Sequence, residues 1–128
     1  MSKDTSSYSQ KFEAINLIID EMKEIGKFKG ILFSKRNGVL ITENIGKGVD
    51  YDEFAAMCAS VLESAEGLGK TFGDKKIGKI IAELGEQTLI IVECGNKTLL
   101  TFIIEKESKI DLVFENLDKY NRKIINAY

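Results

Sequence analysis

The sequence predicts an α/β (α+β) domain of order α-β-β-α-β-β-β-α, with a five-stranded antiparallel sheet between helices. Three observations predict it. Leu89-Ile90-Ile91-Val92, Ile31-Leu32-Phe33 and most of Leu99 to Ile104 are apolar throughout, and a strand apolar on both faces has to be covered on both. Two short turn signals, Asn37-Gly38 and Gly95-Asn96, join strand-like runs as hairpins. Three segments carry apolar residues at steps of three and four, the helical period. One helix cannot cover both faces of such a sheet. Helix 2 is therefore expected on one face, with helices 1 and 3 on the other.

The elements follow in chain order. Residues 1–6 are polar and Ser-rich and are expected to be a flexible tail, leaving 7–128 as the domain. The first helix starts near Ser7, where Ser7 and Gln10 have capping-box spacing. Phe12, Ile15, Ile19 and Met22 form its stripe, widened by Ile18 and Ile25, and Gly26 is expected to cap it in the left-handed conformation. Lys29–Arg36 and Val39–Glu43 are the first two strands, around a type I′ turn at Asn37-Gly38. The second helix starts after Asp50, with Glu53 completing the cap, and buries Phe54, Met57, Cys58, Val61, Ala65 and Leu68. Gly67, Gly69 and Gly73 weaken its end. Strands then cover Lys76–Leu84, Gln87–Cys94 and Lys97–Glu105; the first of these is more polar on one face and is expected at an edge. The last helix runs from about Asp111 to Ala127, with Val113, Leu117, Tyr120 and Ile124 inward.

Composition narrows the chemistry. At 128 residues the chain suits one domain, and 44% hydrophobic with 30% charged residues is a globular balance. A net charge of −2 gives no basic field for nucleic acid, and no apolar run approaches the ~18 residues of a membrane span. Met1 to Gln10 is polar and Ser-rich with no charged-then-apolar stretch, so no signal sequence is expected there. There is no histidine and no CxxC, which removes the common zinc sites and every imidazole base; no metal and no cofactor is expected. Cys58 and Cys94 read as small buried hydrophobes in a reducing, cytoplasmic compartment.

Several pieces invite a functional reading. The outward face of the second helix holds Ala56, Ala59, Ser60, Glu63 and Gly67. A solvated face normally carries long charged side chains, and a small-residue face lets a second helix approach. Alanine is a good helix former, but Ser60 and Gly67 are not, so propensity does not account for the stripe. In the strand Lys76–Leu84, Lys76 and Lys79 are either gatekeepers of an exposed edge or part of a symmetric pairing surface. Arg36, beside a hairpin tip, reads as a solvated turn residue rather than an arginine finger. Gly46-Lys47-Gly48 and Gly67-Leu68-Gly69-Lys70-Thr71 are only superficially like a phosphate loop, because the glycines are too close and the second run ends a helix. The acidic pairs Glu63/Glu66 and Asp50/Asp52 have no nucleophile near them, so no catalytic residue is expected.

With these residues in view, the chain resembles the roadblock/dynein light chain family over nearly its whole length. The resemblance rests on the element order, the hairpin Gly30–Thr42, the small-residue-rich helix Phe54–Lys70, and the meander leading into a last amphipathic helix. Where the family often has Asp-Gly, this chain has Asn37-Gly38. The resemblance implies a profilin-like roadblock fold and a homodimer, or a heterodimer with another roadblock protein. The second helices would pack together and the third strands would pair across the two-fold, bringing Lys79, Ile80 and Ile81 into the interface. It further implies a non-catalytic scaffold or regulator of a Ras-like small GTPase, as in bacterial gliding motility and eukaryotic lysosomal scaffolds. The alternatives are a structural light chain of a motor or other complex, and a monomeric ligand-sensing domain. The Ile, Lys and Glu content suggests an archaeal or bacterial source.

Overall fold

The structure is a computed structural model that describes the backbone of residues 2–46 and 48–128 and the side chains of 10–46 and 48–128. Its elements are α1 (Ser2–Gly26), β1 (Gly30–Lys35), β2 (Leu40–Ile45), α2 (Tyr51–Thr71), β3 (Ile80–Leu84), β4 (Gln87–Cys94), β5 (Thr98–Ile104), α3 (Ile110–Phe114) and α4 (Leu117–Ala127). The strands form one antiparallel sheet in the order β2-β1-β5-β4-β3. Both faces are apolar, as expected. Ile31, Phe33, Ile90, Val92, Leu100 and Phe102 pack with Ile15, Ile19 and Met22 of α1, Val113 of α3, and Tyr120 and Ile124 of α4. Leu32, Ile91, Leu99 and Ile103 lie on the other face, under Ala55, Cys58, Ala59 and Leu62 of α2.

The ends of several elements depart from the expectation. The helical backbone of α1 begins before Ser7, while the side chain of Ser7 and those of residues 1–6 lie outside the described residues. Gly26 does not take the left-handed conformation; Lys27 does, at φ 52°. The Phe28 amide then reaches back to the Lys23 carbonyl at 3.1 Å, closing the helix as a Schellman turn. Glycine stands at 26 because a Cβ there would lie 2.4 Å from the Phe28 ring. The last helix is two: the backbone leaves helical geometry at Asn116 (φ −114°, ψ 20°), although the expected inward residues Val113, Tyr120 and Ile124 are buried.

The β1–β2 turn is not type I′. Only Gly38 has positive φ, at 94°, and Asn37 does not. Gly38 donates to the Lys35 carbonyl at 2.9 Å and Lys35 to that of Val39 at 2.8 Å, which makes a three-residue hairpin loop with glycine in its last position. Asn37 serves through its side chain, whose Oδ1 accepts from the Val39 amide at 3.1 Å. The pairing then shifts between Phe33 and Ser34, leaving a bulge in the ladder. A Cβ on Gly38 would sit 2.9 Å from the Cα of Ala56 on α2. Gly38→Ala therefore meets both a disfavoured backbone and a neighbouring helix. It is expected to destabilise the fold by about 1–3 kcal/mol, read as a lower urea midpoint with unchanged slope.

Opposite α2, a polar seam fixes α1 to the edge strand β2. Thr42 donates to Asn16 Oδ1 at 2.6 Å, Asn44 to Asp20 Oδ1 at 2.6 Å, and Lys23 to Asn44 Oδ1 at 2.9 Å.

Candidate interaction face on the second helix and the third strand

The site begins at the N-terminus of α2. Asp50 caps the helix as expected, its carboxylate accepting from the Glu53 amide at 3.1 Å. The helix then meets the sheet through small residues, Ala55, Cys58 and Ala59, with Leu62 as the one large side chain fully buried there. Small contact residues let a helix sit close to a sheet, and their use here leaves the large apolar residues elsewhere. Met57 is 62% exposed, Val61 44%, Leu68 64% and Phe72 74%.

The expected inner stripe of Phe54, Met57, Cys58, Val61, Ala65 and Leu68 is thus a correction. At 100° per residue, the buried side is turned roughly a quarter-turn from it. Only Cys58 of that set is fully buried, Phe54 and Ala65 are half-buried, and Met57, Val61 and Leu68 face outward. The small-residue stripe changes as well. Ala56, Ser60, Glu63 and Gly67 are exposed, while Ala59 is buried against the sheet. Both alanines also accommodate the β1–β2 turn, whose Gly38 lies close to Ala56 and Ala59. Part of the small-residue requirement is therefore met within the chain.

β3 lies at the sheet edge, as expected, but the strand starts at Ile80 rather than Lys76. Ile80 is half-buried and packs beneath α2, and Ile81, on the opposite side, is 54% exposed. Lys79 precedes the strand and is exposed, its ammonium 5.8 Å from the centre of the Phe114 ring. Because α2 is drawn toward the middle of the sheet, an open groove of about 530 Å³ remains between it and the β3 edge. Phe54, Met57 and Val61 form its helical wall, and Ala82, Leu84 and Leu89 its floor. The groove is what the sequence reading missed. Its signal was present in Leu62, a large apolar residue outside the expected stripe: the apolar arc of α2 is wider than contact with one sheet face requires.

Arg36 is neither a free finger nor a solvated turn residue. Its guanidinium pairs with Glu66 of α2 and, at 3.3 Å, with Glu93 of β4. The hydrogen bond to Glu66 holds the guanidinium charged and raises its pKa, against the opposing effect of burial. The residue ties α2 to the sheet beside the site. Both cysteines are buried, and burial pushes the Cys94 thiol up to about 11, so it is not a nucleophile near neutral pH. The expected Gly46-Lys47-Gly48 loop has Lys47 outside the described residues. Gly67–Thr71 lies within and ends α2, as the rejection of a phosphate loop requires. Among the described residues no group of acidic, cysteine or histidine side chains is placed to hold a metal ion. Among the described residues no helix is long and apolar enough to cross a membrane.

Comparison with known proteins bears on this geometry. The family profile described as the Roadblock/LC7 domain matches residues 14–103. The chain is similar in structure to MglB of Myxococcus xanthus, with TM-score 0.79 and 20% identity, covering 88% of this chain and 92% of that one. It is also similar to the gliding protein MglB of Thermus thermophilus, with TM-score 0.81 and 15% identity, covering 91% and 90%. A Roadblock/LC7 domain from Streptomyces avermitilis has TM-score 0.77 and 13% identity, covering 86% and 93%. At such identities the likeness is one of fold, and it extends to profilin II of Acanthamoeba castellanii at TM-score 0.58, 13% identity and 84% and 94% coverage. No curated protein sequence matches the chain.

Proposed function

The chain belongs to the Roadblock/LC7 family, and on that premise we propose that it is a dimeric, non-catalytic cytoplasmic platform that binds a Ras-like small GTPase. The observation that carries the reading is the exposed apolar stripe of α2, Met57, Val61 and Leu68, beside an open groove that reaches an unpaired strand edge. Apolar side chains this exposed, contiguous with a groove, mark an interaction surface. A second roadblock chain would fill the groove with its own α2 and extend the sheet through β3. The joined sheet and paired helices would then present the docking platform, and the GTPase would bring the nucleotide chemistry. Preference for one nucleotide state would follow from differential binding to it.

The test is affinity capture on the full chain from native lysate, with GDP or a non-hydrolysable GTP analogue, read by mass spectrometry. Enrichment of a Ras-like GTPase in one nucleotide state is the expected result. Capture of motor or other complex subunits, unaffected by nucleotide, would replace the regulator with a structural light chain.

A further inference from the structure

We propose that the chain carries a second, separate ligand site, an apolar pocket with a cationic rim that takes a carboxylate on an aliphatic body, as in a medium-chain fatty acid. The site lies between the start of α1 and the β1–β2 hairpin. It is apart from the groove beside β3 and stands whether or not the chain is a dimer.

A pocket of about 370 Å³ opens where α1 meets the hairpin. That volume falls within the roughly 300–1,000 Å³ of small-molecule sites. Phe12 of α1, Val39 and Ile41 of the hairpin, and Tyr128 form its walls, and the fully buried Ile15 closes it from within. Phe12, Val39 and Tyr128 are exposed, so the walls are open to an entering molecule. The Tyr128 wall is held in place, because its ring meets that of the buried Phe33 edge-on, with centroids 5.5 Å apart. The pocket is also remote from the proposed partner surface. β2 is the sheet edge opposite β3, and α1 covers the face opposite α2. A chain seated on α2 and β3 leaves it accessible.

Charge decides what fits. The side chains of Lys11 and Lys35 stand at the rim, and no carboxylate side chain lines the pocket. Lys11 is one helical turn before Ile15 and so lies on the same side of α1. Its ammonium sits 4.5 Å from the centre of the Tyr128 ring, a cation–π contact that keeps it over the pocket. Lys35 is two residues beyond the buried Phe33 and so leaves β1 on the same face. Glu13, the acid closest to Lys11 in sequence, is two positions along the helix and points away from the pocket. Among the described residues neither lysine has an ion-pair partner. Two unpaired cations above an apolar cup match an anion carried on an apolar body. The groove beside β3 has the opposite rim: Asp50 and Glu53 line it, and among the described residues no cation does. The two cavities therefore sort ligands of the same hydrophobicity by charge.

The test titrates the ¹⁵N-labelled full chain with decanoate and, separately, with decylamine, each below its micelle-forming concentration, and follows the amide resonances. Decanoate is expected to give saturable shifts at Phe12, Lys35, Val39 and Ile41, and decylamine none at those residues. Lys11→Glu combined with Lys35→Glu is expected to weaken decanoate binding on the order of tenfold or more and to admit decylamine to the same residues. Neither lysine is in the core, and unchanged resonances elsewhere check that the variant is folded. Decanoate shifts confined to Met57, Val61 and Leu84, shifts that do not saturate, decylamine binding as well as decanoate to the unmodified chain, or a double variant that holds decanoate as before would each overturn the proposal.

Discussion

Val61→Glu is expected to leave the chain folded and to abolish its self-association. Val61 is 44% exposed on the groove side of α2, so within one chain a glutamate there can turn its carboxylate into water and gives up only the contacts of the covered part of the valine. In a dimer that fills the groove, the same carboxylate would be buried against Met57, Leu84 and their counterparts with no cation to pair. Burying an unpaired charge costs on the order of 3 kcal/mol or more, and two-fold symmetry imposes the cost twice. The association constant should fall more than a hundredfold. Light scattering reads the mass, and thermal unfolding monitored by circular dichroism checks the fold. A variant that is still dimeric places the interface elsewhere. One that is unfolded makes Val61 the core residue that its periodicity suggests.

Phe102→Ala is expected to have the largest effect on stability. Phe102 is fully buried in β5, its ring 5.3 Å from that of Phe28 and 5.1 Å from that of Phe114. It joins the loop after α1, the central sheet and α3 in one contact. Truncation removes the ring and both aromatic contacts and leaves a cavity that three separate elements cannot close together. The expected loss is about 3–5 kcal/mol in urea unfolding, a large share of what a domain of this size has. A loss below ~1 kcal/mol would mean that α3 collapses freely onto the sheet. A wild-type chain that unfolds with the same midpoint would remove Phe102 from the core altogether.

These two predictions concern opposite faces of the sheet, and the sequence determined them unequally. The element order, the antiparallel sheet, the Asp50 cap, the edge position of β3 and the division of helices between the faces were legible. Each follows from information local to a segment: apolar period, capping oxygen, or a strand apolar on both sides. The turn at Asn37-Gly38 was legible as a turn but not as its type. The loop length depends on where β2 rejoins the ladder, and that is set by the bulge and by Ala56 against Gly38.

The orientation of α2 was decided only by the tertiary structure. Periodicity records which residues leave water, not what they pack against, so Met57, Val61 and Leu68 read as core alongside Cys58. Small Ala55, Cys58 and Ala59, with Leu62, gave α2 a closer fit to the central strands. Pairing of Arg36 with Glu66 and Glu93 fixed it there, through residues far apart in the chain. The groove beside β3 is the consequence of that fit. No single segment encodes it, because it is the space left when one helix covers less of a sheet than the sheet exposes.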